Sequence, residues 1–128
     1  MAITPYLLYE DVGGALKFLS QAFGFRKYGR ALSGPGGKIN HAAMKFGDDL
    51  IMMGCPRSKY RNPKRLGQAT QSLYINVPNV DKHFQRARKA GATILEEPKD
   101  AFGQRRYGAE DPEGHQWYFA QEIRKRGR

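Results

Sequence analysis

Three histidines, one cysteine and two adjacent arginines carry most of the chemistry open to this 128-residue chain. His41 lies in an alternating run in which Asn40, Ala42, Met44 and Phe46 share one face and Ile39, His41, Ala43 and Lys45 the other. If the first set packs under a helix, His41 faces a cavity, where an imidazole can hydrogen-bond a ligand or move a proton. The bland reading is a satisfied, partly buried histidine. His83 falls on a polar helix face and His115 follows the turn Asp111-Pro112-Glu113-Gly114, so both read as structural or exposed. Asp111 reads as a turn residue accepting backbone N–H bonds. Arg105 and Arg106 alternate, so one of them points inward, able to grip a carboxylate through two parallel bonds. Arg105 is the ligand-binding candidate, although alternation alone leaves the choice between the two open.

These residues need elements to position them, and the chain supplies the same set twice. A strand from Ile3 to Tyr9 leads into a helix capped by Asp11, with Val12, Ala15, Leu16, Leu19, Ala22 and Phe23 as its apolar stripe and Gly24 at its end. Strands follow at Phe25 to Ser33, Lys38 to Phe46 and Leu50 to Gly54. The order returns after a polar stretch. A strand from Ser72 to Val77 precedes a helix capped by Asn79, with Val80, Phe84, Ala87 and Ala90 as its candidate buried stripe and Gly91 at its end. Strands at Thr93 to Glu97, Gln104 to Glu110 and Gln116 to Gln121 complete the second copy. The first module therefore spans about 3–54 and the second about 71–123, with a linker at 55–70 read as loop and a basic tail at 124–128. Strand alternation turns Thr4, Tyr6 and Leu8 to a cavity in one copy and Ser72, Tyr74 and Asn76 in the other, while Trp117 points to the core. Met44, Met52 and Met53 read as packing residues, Met52 being the one placed to touch a ligand.

Composition narrows the class. Hydrophobic residues at 40% and charged residues at 27% fit a globular chain. No apolar run reaches the roughly 20 residues of a membrane span, and no export signal is expected at the start. The lone Cys55 forms no intrachain disulfide, which fits a reducing, cytoplasmic setting. A net charge of +10 favours anionic partners. The basic residues cluster at Arg57 to Arg65, Lys82 to Lys89 and Arg124 to Arg128 with no helix-turn-helix, zinc-ligand or RNA-binding aromatic pattern, so nucleic acid is not expected.

The doubled pattern, the Phe23-Gly24-Phe25 helix exit and the run from Phe102 to Trp117 around Asp-Pro-Glu-Gly together resemble the vicinal oxygen chelate superfamily, over about Ile3 to Ile123. That superfamily contains glyoxalase I, bleomycin-resistance proteins and extradiol dioxygenases. The resemblance implies an α+β fold of paired βαβββ modules curled into an incomplete barrel around a cavity, and a homodimer. It also implies a divalent-metal site built from His, Gln or Glu on four strands. Carried onto this chain, those four positions fall on Thr4, Met52 (or Met53), Ser72 and Tyr118, none of them a usual ligand for such metals. No metal or other cofactor is therefore expected, and the cavity reads as a small-molecule site for an aromatic or anionic ligand, lined by Thr4, Tyr6, His41, Met52, Ser72, Tyr74, Arg105 and Tyr118. Two alternatives stand beside it. One is a metal-dependent lyase, isomerase or dioxygenase with an unusual ligand set around His41; the other is an inactive module whose basic surface holds a macromolecular partner.

Overall fold

Each module opens on a short strand and a helix whose first turn is closed by a polar side chain. In the computed structural model, which describes residues 2–56 and 59–123, β1 spans Tyr6–Leu8 and α1 spans Val12–Phe18. Asp11 caps α1 by accepting from the Gly14 N–H at 2.9 Å. The helix then widens into a π turn, Leu19–Phe23, closed by Gly24 in the left-handed conformation at φ 84°. Widening brings Leu19, Ala22 and Phe23 all into the core. The carbonyls this frees at Ser20 and Gln21 accept from the Arg86 guanidinium at 2.9 and 3.0 Å.

Strands β2 (Arg26–Ser33), β3 (Ile39–Phe46) and β4 (Asp49–Gly54) complete the first module. Its sheet has the order β1-β4-β3-β2, with β1 and β4 parallel and the other neighbours antiparallel. The second module repeats this with β5 (Ser72–Asn76), α3 (Val80–Lys89), β6 (Thr93–Ala101), β7 (Gln104–Glu110) and β8 (Gln116–Glu122), in the order β5-β8-β7-β6. The expected α+β fold of two βαβββ modules is thus present, each module a four-stranded mixed sheet. Within α3, Asn79 accepts from the Lys82 N–H, and Val80, Phe84 and Ala87 are buried while Ala90 is exposed.

Three details depart from the sequence reading. β1 is three residues long, so Thr4 lies ahead of it, exposed. β6 runs through Pro98 to Ala101 because it is an edge strand bonded on one side only, where a missing N–H is tolerated. The linker is not all loop: Asn62 caps a single turn, α2 (Pro63–Leu66), with proline at its first position. Arg57 and the basic tail at 124–128 lie outside the described residues.

The core is shared between modules. One cluster takes Leu7, Ala42, Met44, Ile51 and Met53 from the first sheet and Tyr107, Ala109, Trp117 and Phe119 from the second. Phe23 joins them, its ring centre 5.6 Å from that of Trp117 and 4.8 Å from that of Phe119. The reverse face of each sheet is the open one.

Candidate functional site

Strand alternation decides which side chains reach the open faces. Because Ala42 and Met44 are buried under the first helix, His41 is turned to the open side. The register sets Tyr6 beside Met52 across β1 and β4, and His41 beside Gly54 across β3 and β4. The Tyr6 hydroxyl lies 3.1 Å from His41 Nδ1. Gly54 makes this possible: a Cβ there would sit 2.5 Å from the Tyr6 oxygen. Met53 is fully buried, so Met52 is the methionine of this face.

On the second module the register places Tyr74 and Gly108 on either side of Tyr118, and Ser72 beside Gln116. The Tyr74 hydroxyl donates to Gln104 Oε1. Arg106, two residues from Gly108 on β7, donates through Nε to Glu96 at 3.2 Å, and Lys99 holds the other Glu96 oxygen at 3.3 Å.

Arg105, the arginine expected to bind ligand, is turned the other way. It shares the parity of Tyr107 and Ala109, and at the strand end it pairs with Asp81 and Asp100 at 3.0 Å each. Arg106 is the arginine of the open face. Thr4, Tyr6, His41 and Met52 thus belong to the first module, and Ser72, Tyr74 and Tyr118 to the second. Tyr74 borders a cleft of about 740 Å³ together with Phe25, Phe46 and Ile51. Tyr6 borders a separate cleft of about 260 Å³ against Tyr60 and Leu66 of the linker.

The donor set at the four positions implied by the resemblance does not fit a divalent cation. Thr4 and Ser72 offer exposed hydroxyls, Met52 a thioether and Tyr118 a phenol, whereas such cations take carboxylates, imidazoles or several convergent oxygens. Among the described residues no three His, Cys, Asp or Glu side chains converge into a metal cluster.

The strongest polar constellation is one that the sequence reading missed. Asp111 is 2% exposed and does more than close its turn. Its Oδ1 accepts from the N–H groups of Glu113 and His115, and its Oδ2 accepts from the Tyr9 hydroxyl at 2.6 Å and Trp117 Nε1 at 3.1 Å. Burial, then the Asp111 charge, raises the Tyr9 pKa well above its ordinary 10.0. Glu113 accepts from the N–H groups of Glu10 and Asp11 at 2.7 and 2.8 Å and from Asn62 Nδ2 at 3.0 Å. Nearby, burial followed by the charges of Glu113 and Glu10 pushes the Tyr60 phenol up to about 12. This cluster ties both modules to the linker. The sequence signal was present only as the odd density of polar residues around Asp111.

The other two histidines are structural, as expected, though neither is simply exposed. His83 Nε2 donates to the Phe23 carbonyl at 2.9 Å, which leaves Nδ1 to accept from the Tyr107 hydroxyl at 2.5 Å. His115 Nε2 donates to the Leu8 carbonyl at 2.7 Å. Some of the basic surface is also spoken for: Arg65 pairs with Glu10 at 2.9 Å and Arg86 caps the π turn.

The relatives of this chain share both its pattern and its shape. The model of the Glyoxalase/Bleomycin resistance protein/Dioxygenase superfamily matches residues 3–119. An uncharacterized protein of Mycobacterium bovis is 35% identical over 130 residues, covering 97% of this chain and 85% of that protein. The crystal structure of TioX from Micromonospora sp. ML1 superposes with a TM-score of 0.77 at 31% identity, covering 96% of this chain and 99% of the other. The fosfomycin resistance protein FosX from Listeria monocytogenes, at 13% identity, shares the fold with a TM-score of 0.72, over 96% of this chain and 93% of its own. This chain therefore belongs to the glyoxalase/bleomycin resistance protein/dioxygenase superfamily.

Proposed function

We propose that the chain binds a small organic molecule on its open sheet faces without a metal, and that it does so as a homodimer whose second copy covers those faces. One observation carries the reading. The positions that the resemblance assigns to a metal fall on Thr4, Met52, Ser72 and Tyr118, and the rings of Tyr6 and Tyr74 stand beside Met52 and Tyr118, 49% and 48% exposed. Flat or soft side chains with a few hydroxyls suit an organic ligand that is partly apolar, and the surplus of positive charge favours an anionic one. The exposed apolar side chains of Leu8, Tyr28, Leu32 and Leu95 on β1, β2 and β6 support a covering copy. A cytoplasmic setting belongs to this reading, since a single cysteine can form no intrachain disulfide.

The test is a thermal-shift screen of untagged protein against a broad metabolite panel, because a ligand that binds only the folded chain raises its melting temperature. Stabilisation by one organic class supports the reading. Elemental analysis of the same preparation is expected to show no stoichiometric Fe, Mn, Ni or Zn; finding one would overturn the metal-free reading. Sedimentation is expected to give a dimer, and the paired replacement Tyr6→Glu with Tyr74→Glu to give a monomer.

A further inference from the structure

Gly108 is a glycine that its own backbone does not require. It lies inside β7 with no left-handed φ, and strand interiors disfavour glycine. What requires it is Tyr118. A Cβ at Gly108 would lie 2.5 Å from Tyr118 Cε2 and 2.9 Å from both ring atoms bonded to it, Cδ2 and Cζ. Near-equal distances of this kind belong to a point above the ring's face, since an edge-on approach would set the two flanking atoms much farther off. The Tyr118 ring therefore lies face-down on Gly108. The duplicated module provides an internal comparison: the counterpart of the Gly108–Tyr118 pair is Ala43 opposite Met52, where no ring lies and a Cβ is present.

Arg106 reaches over the ring, its guanidinium carbon 5.8 Å from the ring centre, too far out to cover the whole face. Its Nε is fixed by Glu96, while its two terminal nitrogens make no hydrogen bond among the described residues. The negative charge of Glu96 is shared with Lys99. Glu110 is the other carboxylate on this face of β7, beyond Gly108 and opposite Gln116.

We infer that Tyr118, Gly108 and Arg106 form a seat for a planar aromatic carboxylate. The ligand's ring stacks on the face of Tyr118 turned away from Gly108, alongside the Arg106 guanidinium at its margin, and its carboxylate takes the two terminal nitrogens of Arg106 side by side. The inference rests on the small-molecule reading above and narrows its ligand class. Glycine is the positioning residue: it lowers the tyrosine into a flat floor.

The test titrates 2-naphthoate into the full chain by fluorescence and calorimetry, alongside decahydro-2-naphthoate, which keeps the charge but is not flat, and 2-naphthamide, which is flat but uncharged. Saturable binding of 2-naphthoate is expected, with each analogue weaker by about tenfold. Gly108→Ala, which props the ring up, is expected to weaken 2-naphthoate about tenfold and to abolish the preference for flatness. Arg106→Gln is expected to abolish the preference for charge and keep that for flatness. Near-UV circular dichroism of the buried Trp117 checks that each variant is folded, and Tyr118→Leu replaces Gly108→Ala if the latter is not. Equal affinity for 2-naphthoate and its saturated analogue, or 2-naphthoate binding unchanged by both Gly108→Ala and Tyr118→Leu, overturns the seat. A chain stabilised by other metabolites but indifferent to 2-naphthoate loses the seat and keeps the broader reading. A chain stabilised by nothing loses both.

Discussion

Burial in the seam between the modules lowers the His83 pKa from its ordinary 6.5; the Phe23 carbonyl opposes that shift and the Arg86 charge adds to it. The unfolded chain then binds a proton near pH 6.5 that the folded chain refuses until lower pH. The stability contributed by neutral His83 is full above 6.5 and is lost as pH falls toward the folded value. Melting temperature measured from pH 8 to pH 5 should fall less steeply for His83→Gln than for the parent chain. Asp111 gives a sharper test at the same scale. Its four accepted bonds all need oxygen, and an asparagine has only one, so an N–H pair would face donors in a buried site. Asp111→Asn should cost about 2–3 kcal/mol in urea denaturation. The turn of His41 to the open face could be read from the chain because Ala42 and Met44 mark the core face locally. The choice between Arg105 and Arg106 could not, because the carboxylates that draw Arg105 away, Asp81 and Asp100, come from other elements.

Among the elements, those whose ends are set by nearest neighbours were legible: both helix caps, both glycine stops and the strand parity of β3 and β5 follow from side chains within a few residues. α2 was not. Its single turn is too short to persist by its own propensity and exists because Asn62 is held by Glu113 and the Lys64 N–H by the Glu113 carbonyl. Asn62→Ala removes both the cap on Arg65 and the bond to Glu113, and should cost about 1–2 kcal/mol. The loss should appear as faster tryptic cleavage within 59–65 under native conditions, ahead of any change in the sheets. The π turn was equally hidden, since its extra width is sustained by Arg86 from the other module.

At the level of the molecule, a shared aromatic core means that the two modules should unfold together. Phe23 packs against Trp117 and Phe119, and the Tyr107 ring stacks on Phe119 with His83 alongside. Phe23→Ala should lower stability by about 3–5 kcal/mol while keeping one calorimetric transition, with the van't Hoff and calorimetric enthalpies equal. Two separated transitions would contradict the shared core. The duplication seen in the sequence thus correctly announced two modules, but periodicity within each copy carries no information on how the copies grip one another. That grip bears on how the chain is made. Glu113 closes the N–H groups of Glu10 and Asp11 from about a hundred residues downstream, so on the ribosome the first module emerges with those donors open and without the Trp117 and Phe119 rings that cover Phe23. Its early strands stay unfinished until the Asp111 turn leaves the tunnel, so changing the speed of translation over the final third of the chain is expected to change the yield of folded protein.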